Sequence, residues 1–162
     1  MVTRTDAAQA IWAFAEHEHQ DLRRGINRVH DIACEVGLRP TPELSVDVIS
    51  VLSWVHDTLE PHIAWEDGWL YPEIEARIGS PWATRAARFD HQQIRQMAEH
   101  LSDDEIRLGS HQADGGQAET RCHLFSLEAL LRAHLEREER FLIPILAESA
   151  SAPVEPGPRP PR

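Results

Sequence analysis

The stretches HIAWEDGWLYPEI (residues 62–74) and HLEREERFLIPIL (residues 134–146) share a pattern in which a histidine precedes a glutamate by one helical turn. They lie 72 residues apart, and a leucine and a proline follow the glutamate at the same positions in both. Two shorter stretches, HQDLR from His19 and HQQIR from His91, are separated by the same 72 residues. The sequence therefore predicts two copies of one helical hairpin.

Apolar residues recur at helical spacing in four segments, and this spacing predicts four amphipathic helices. The predicted helices run from about Thr5 to Val36, from about Glu43 past Pro72, from about Trp82 to Leu108 and from about Gln117 to Glu148. We expect Pro61 to kink the second helix, and Ser80 and Pro81 to supply the N-cap and first-turn proline of the third. Short connections between four such helices predict an all-α, up-down-up-down four-helix bundle built from two duplicated helical hairpins.

The bulk composition limits the classes of function. A chain of 162 residues is long enough for one domain, which we expect to span residues 1–148, and the proline-rich residues 149–162 are predicted to form a disordered tail. The net charge of −11 argues against nucleic acid and against anionic membrane surfaces as partners. Two cysteines do not make a disulfide framework, so we expect a cytoplasmic protein. The sequence selects no protein partner.

The spacing of four histidines predicts that they lie at one level of the bundle. Within each copy the two histidines are 43 residues apart. This distance corresponds to roughly 17 residues up one helix and about 20 down the next, at 1.5 Å per residue. A glutamate lies one turn beyond the second histidine of each copy, on the same inner face. The residues concerned are His19, His62, Glu66, His91, His134 and Glu138.

Six such groups in an apolar core need a reason, because buried charges and imidazoles are costly unless they are paired or bound to a metal. Imidazole and carboxylate together suit iron, and zinc or manganese are possible alternatives. Two glutamates that face each other could bridge two ions, each of which takes two histidines, and positions for a small ligand would remain open. The alternative is a set of hydrogen-bonded core residues in a metal-free helical adaptor. The convergence of six groups favours the metal site.

The four motifs EHEHQDLR, HIAWEDGWLYPEI, DHQQIR and HLEREERFLIPIL resemble the hemerythrin-like, or HHE cation-binding, family over nearly all of residues 10–146. The ferritin-like alternative requires a duplicated Glu-x-x-His, which occurs here only once, at Glu16 and His19. The resemblance implies that the six converging residues hold two non-haem iron ions in a carboxylate-bridged centre. It also implies a diatomic or peroxide ligand, namely O2, nitric oxide or peroxide.

One position departs from the pattern of oxygen-carrying hemerythrins, which have a second histidine one turn after the first on the third helix. Here His91 is followed at that position by Arg95. The departure disfavours simple reversible O2 carriage and favours a reactive or sensing site. Catalase- or peroxidase-like peroxide breakdown in oxidative stress is one hypothesis. An iron or oxygen sensor, or an iron-handling protein without catalytic turnover, is the alternative.

Several other polar residues remain open. Asp67 and Glu139 follow the two glutamates directly and are either partners of the ligands or solvated helix residues. Tyr71 is assigned to packing or to an interface. A second group of residues lies eleven or more residues from the predicted ligands, at the far end of the bundle, and is either a second metal or redox site or ordinary core packing. Its members are His30, Cys34, Cys122 and His123.

Overall fold

A computed structural model of the chain describes residues 4–110 and 116–148. These residues form four long helices and no strand, which we label α1 (Arg4–Glu35), α2 (41–78), α3 (Arg85–Gly109) and α4 (116–148). The prediction of an all-α four-helix bundle is confirmed. None of the described helices is both long enough and apolar enough to cross a membrane. The predicted tail at 149–162 lies outside the described residues.

Contacts along the helix pairs give the up-down-up-down order. Each helix packs against two neighbours, and the short connections at 36–40 and 79–84 reverse the chain direction. Representative pairs are Gly25–Trp54 for α1 and α2, Glu60–Arg95 for α2 and α3, Asp104–His123 for α3 and α4, and His30–Glu128 for α1 and α4. This circular arrangement turns one face of every helix towards a shared interior.

The interior contains two apolar clusters. The larger one fills most of the length of the bundle and draws on the predicted apolar stripes of all four helices. Among its most deeply buried side chains are Leu22, Ile26, Val48, Leu59, Ile94, Leu124, Leu127 and Leu131. A smaller cluster around Leu70, Ile74 and Leu146 closes the other end. The residues of the repeated histidine motifs lie between these two clusters.

Three prolines lie inside helices without interrupting them. Each one follows a π-helical turn, and these turns are Val55–Leu59 and Glu66–Leu70 in α2 and Glu138–Leu142 in α4. Proline lacks an N–H and its ring clashes with the carbonyl four residues back. The residue before each proline instead donates its N–H to the carbonyl five residues back, for example Tyr71 to Glu66. The disturbance predicted at Pro61 and Pro72 therefore takes the form of a wider turn within a continuous helix.

The predicted start of the third helix is wrong by three residues. The helix begins at Arg85, and residues 81–84 form a turn. The hydroxyl of Ser80 accepts the backbone N–H of Trp82 at 3.3 Å, so that it caps this turn rather than the helix. The hydroxyl of Thr84, which is fully buried, donates to Glu75 of α2. This tie to α2 fixes the chain in the turn until Arg85.

Close approach of α1 and α2 depends on Gly25. A Cβ atom at this position would lie 2.1 Å from Cε2 of Trp54, so the indole would have to move. We expect Gly25→Ala to lower the free energy of unfolding by about 1–3 kcal/mol, because the overpacking outweighs the helix-propensity gain of about 1 kcal/mol. Denaturant unfolding followed by circular dichroism measures this change.

Gly68 is the matched control, since a Cβ atom there would meet nothing within 4 Å. Gly68→Ala is expected to be neutral or to stabilise the chain by up to about 1 kcal/mol. Equal stability of the two alanine variants would show that the contact between Gly25 and the indole is not tight.

Candidate metal centre

The six residues predicted from the repeat lie together in a polar layer between the two apolar clusters. All six side chains are buried, and none is more than 3% exposed. Each helix contributes at least one of them: His19 from α1, His62 and Glu66 from α2, His91 from α3, and His134 and Glu138 from α4. The level argument from sequence therefore places the residues correctly.

The layer contains two groups of donor atoms, and within each group the atoms lie within 4.8 Å of one another. The first group is His19, His62, Glu66 and Glu138, and the second is Glu66, His91 and His134. Glu66 belongs to both. Its Oε1 lies 2.7 Å from Nε2 of His62, and its Oε2 lies 3.1 Å from Nε2 of His91. The two oxygens of one carboxylate are thus divided between two pairs of histidines.

Glu138 faces the layer from the opposite side. Its Oε2 lies 3.3 Å from Nε2 of His19 and 3.7 Å from Nε2 of His134. Its Oε1 accepts a hydrogen bond from the hydroxyl of Tyr71. That hydroxyl is also 3.2 Å from Nε2 of His91, and Tyr71 is fully buried. Tyr71 is therefore a seventh polar group of the centre, which the sequence analysis wrongly assigned to packing or an interface.

A carboxylate lies on the Nδ1 side of each histidine ring. The distances are 3.0 Å for Glu139 and His19, 3.9 Å for Glu18 and His62, 3.2 Å for Asp67 and His91, and 3.7 Å for Asp90 and His134. These acids repeat with the same offset of 72 residues as the histidines. A carboxylate at this position favours the tautomer with Nδ1–H and turns the Nε2 lone pair towards the centre. Glu18 and Asp90 were missed by the sequence analysis, which left Asp67 and Glu139 open.

Arginines hold the outer carboxylates in turn. Arg88 donates to Oδ1 of Asp67 at 2.9 Å, and Arg23 forms an ion pair with Glu139. Arg95, which occupies the position of the absent fifth histidine, is 40% exposed and donates to Glu60 at 3.1 Å. Arg95 therefore points away from the centre, and its position adds no donor to the layer.

The charges of the layer polarise one another. Burial alone would raise the pKa of Glu66, but hydrogen bonds from the four histidines outweigh it and hold the pKa well below its usual range. Burial and the nearby charge of Glu66 raise the pKa of Glu138. Burial alone would lower the pKa of His19, but Glu138 and Glu66 raise it to about 9. Protons thus balance the buried carboxylates, and a cation that binds here displaces protons.

Four buried atoms at the centre test whether a metal fits. Nε2 of His19 and His62, Oε1 of Glu66 and Oε2 of Glu138 make no hydrogen bond. Although Nε2 of His62 is close to Oε1 of Glu66, the two atoms lack hydrogen-bonding geometry. An unsatisfied buried polar group costs about 1–3 kcal/mol, which coordination would remove. These atoms are the donors of the first group, and imidazole with carboxylate suits transition metals. The residues fit a metal cofactor.

The second metal site proposed at the far end is not supported by the structure. His30 pairs with Glu128, whereas His123 pairs with Asp104. In residues 4–110 and 116–148, groups of three or more suitable donors occur only at the centre. Cys34 and Cys122 are both exposed, so the expectation that they pack in the core is wrong.

Comparisons with known proteins agree with the geometry. The family model described as the hemerythrin HHE cation binding domain matches residues 10–146, a range that includes all six residues of the layer. No curated protein and no solved structure matches the chain.

Proposed function

The chain belongs to the hemerythrin HHE cation-binding family, and from this premise we propose that the buried layer holds two non-haem iron ions. The proposed ligands are His19, His62, Glu66, His91, His134 and Glu138. The observation that carries the proposal is the division of the Glu66 oxygens between two pairs of histidines, which suits a bridging carboxylate. Zinc or manganese would accept the same donors, so metal analysis has to identify the ion.

We further propose that the centre reacts with a small oxidant or diatomic ligand, and that hydrogen peroxide breakdown is the reaction. Two iron ions would supply the redox chemistry. The chain would supply burial, since none of the six residues is more than 3% exposed and bulk water is kept out. It would also supply a proton at the hydroxyl of Tyr71, which lies between Glu138 and His91. The second donor group contains only three residues, which leaves room for a ligand.

Peroxide turnover by protein from iron-supplemented cells tests the proposal. We expect roughly two irons per chain and oxygen evolution on addition of hydrogen peroxide. His62→Ala removes a donor of the first group and is expected to abolish the oxygen evolution. His17→Ala is the matched control, because His17 is an exposed histidine of α1 and should leave turnover unchanged.

A sensor without turnover is the second candidate, and the π-helical turns favour it. Two of these turns begin at Glu66 and at Glu138, so a change in coordination would act directly on irregular points of α2 and α4. Binding of nitric oxide seen by absorbance, together with no oxygen evolution from peroxide, would support the sensor. Oxygen evolution lost in His62→Ala would exclude it.

A further inference from the structure

Cys34, His30 and Glu128 form a chain of contacts at the far end of the bundle. The Sγ atom of Cys34 lies 3.5 Å from Nε2 of His30, and Nδ1 of His30 lies 2.9 Å from Oε2 of Glu128. Cys34 is exposed, whereas the side chain of Glu128 is only 12% exposed. A reagent in solution can therefore reach the thiol, while the carboxylate behind the imidazole is sheltered.

Glu128 is held in place from its other side. Arg132 donates Nε–H to Oε1 of Glu128 at 2.8 Å, and Nη2 of the same arginine donates to Asn27 of α1 at 3.0 Å. Burial alone would raise the pKa of Glu128, but Arg132 and His30 outweigh it and lower the pKa. The group is therefore a carboxylate, which only accepts hydrogen bonds. It follows that Nδ1 of His30 carries the proton and that Nε2 turns a lone pair towards the sulfur.

We propose that Cys34 is a nucleophilic thiol with His30 as its general base, and that it reacts with electrophiles of the hydroperoxide class. A nucleophile, a base within hydrogen-bond reach and a third group that orients the base form the arrangement by which proteins activate thiols. Glu128 is the positioning residue of this arrangement. Cys34 lies about 22 Å along α1 from His19, at 1.5 Å per residue, so the site is separate from the metal centre.

The reaction balances without a further reagent. Nε2 of His30 takes the thiol proton, which leaves a thiolate beside an imidazolium. The sulfur of Cys34 attacks one oxygen of hydrogen peroxide, so that an S–O bond forms and the O–O bond breaks. Sulfur is oxidised to sulfenic acid while the peroxide is reduced. The departing hydroxide takes the proton back from His30 and leaves as water, and the imidazole is neutral again.

The position of Cys34 in its helix makes the inference sharp. The thiol lies in the last turn of α1, which ends at Glu35, where the negative end of the helix dipole disfavours a thiolate. Cys122 is also exposed and lies nearer the start of its helix, which begins at Gly116. Among the described residues no side chain hydrogen-bonds Cys122. The helix fields alone would therefore make Cys122 the faster thiol, and the proposed arrangement reverses that order.

Alkylation of the reduced, metal-loaded chain with iodoacetamide tests the order. Peptide mass spectrometry gives the labelling rates of both thiols in the same molecule. We expect Cys34 to react at least about tenfold faster than Cys122, because a general base acts on it alone. With hydrogen peroxide and dimedone as a sulfenic acid trap, Cys34 should again be the preferred site.

Two variants isolate the base. In His30→Gln the ratio of the two rates should fall to one or below, since only the helix fields remain. In Glu128→Gln the amide can donate to Nδ1 of His30, which places the proton on Nε2 and should also remove the advantage of Cys34. His100→Gln is the matched control, because His100 stacks on His123 and does not contact Cys34.

The ratio decides the outcome even where a variant loosens the helix ends, because loosening would accelerate both thiols together. Equal rates in the unaltered chain would overturn the proposal. An advantage of Cys34 that persists in both His30→Gln and Glu128→Gln would do so as well. Neither result bears on the metal centre, whose residues are unaltered.

Discussion

Glu66→Gln is expected to lower the metal content of the purified chain from about two ions to almost none. Glu66 is the one residue that belongs to both donor groups, and each of its oxygens faces a different pair of histidines. A glutamine retains one oxygen, presents an N–H₂ donor to the other pair, and lacks the charge that offsets two cations. Metal analysis by plasma mass spectrometry, after loading with excess iron and desalting, measures the change.

Glu136→Gln is the matched control for this experiment. Glu136 is a 70% exposed residue of α4 that pairs with Arg140, and its replacement should leave two ions bound. His134→Ala provides a second comparison, because it removes a donor of the second group only and should leave about one ion. Retention of a full ion by Glu66→Gln would mean that the two groups bind independently and that Glu66 does not bridge them.

The polar layer was predictable because a helix has a fixed rise per residue. Counting residues from His19 to the end of α1 and back along α2 gave the level of His62, and the repeat gave the levels of His91 and His134. The structure places all four side chains in one layer. The same offset, applied to acidic residues as well, would have found the outer carboxylates, since Glu18 and Asp90 precede their histidines in both copies.

Tyr71 could not be placed by helical periodicity, because the helix changes its period there. In a regular α-helix a residue five positions after Glu66 points roughly 140° away from it. The π-helical turn Glu66–Leu70 adds a residue to the turn and brings Tyr71 back towards Glu138 and His91. The available signal was proline, which stands six residues after the first residue of all three π-helical turns in the described chain.

Contacts that join different helices through side chains were also beyond the sequence. The early turn of Ser80 depends on the hydroxyl of Thr84 reaching Glu75 on the neighbouring helix. The arrangement at Cys34 depends on Glu128, which lies 98 residues from His30. Spacing within one helix indicates that Cys34 and His30 share a face, but it does not say which residue of α4 stands opposite them.

Iron(II) added without oxygen to the metal-free chain is expected to raise the melting temperature by roughly 15–30 °C. The metal-free layer contains four buried atoms without hydrogen bonds, and coordination satisfies them only in the folded state. A ligand at about 1,000 times its dissociation constant stabilises a protein by about 4 kcal/mol per site, or about 8 kcal/mol for two sites. For a chain of this size, about 1 kcal/mol corresponds to roughly 2–4 °C.

Calorimetry of the chain with and without iron measures this shift, and Glu66→Gln supplies the control. That variant should melt at the same temperature in both conditions, because it lacks the carboxylate shared by the two donor groups. A shift of only a few degrees in the unaltered chain would mean that the six residues are already satisfied by one another. An equal shift in Glu66→Gln would place the metal elsewhere, because stabilisation by mass action requires binding to the native site.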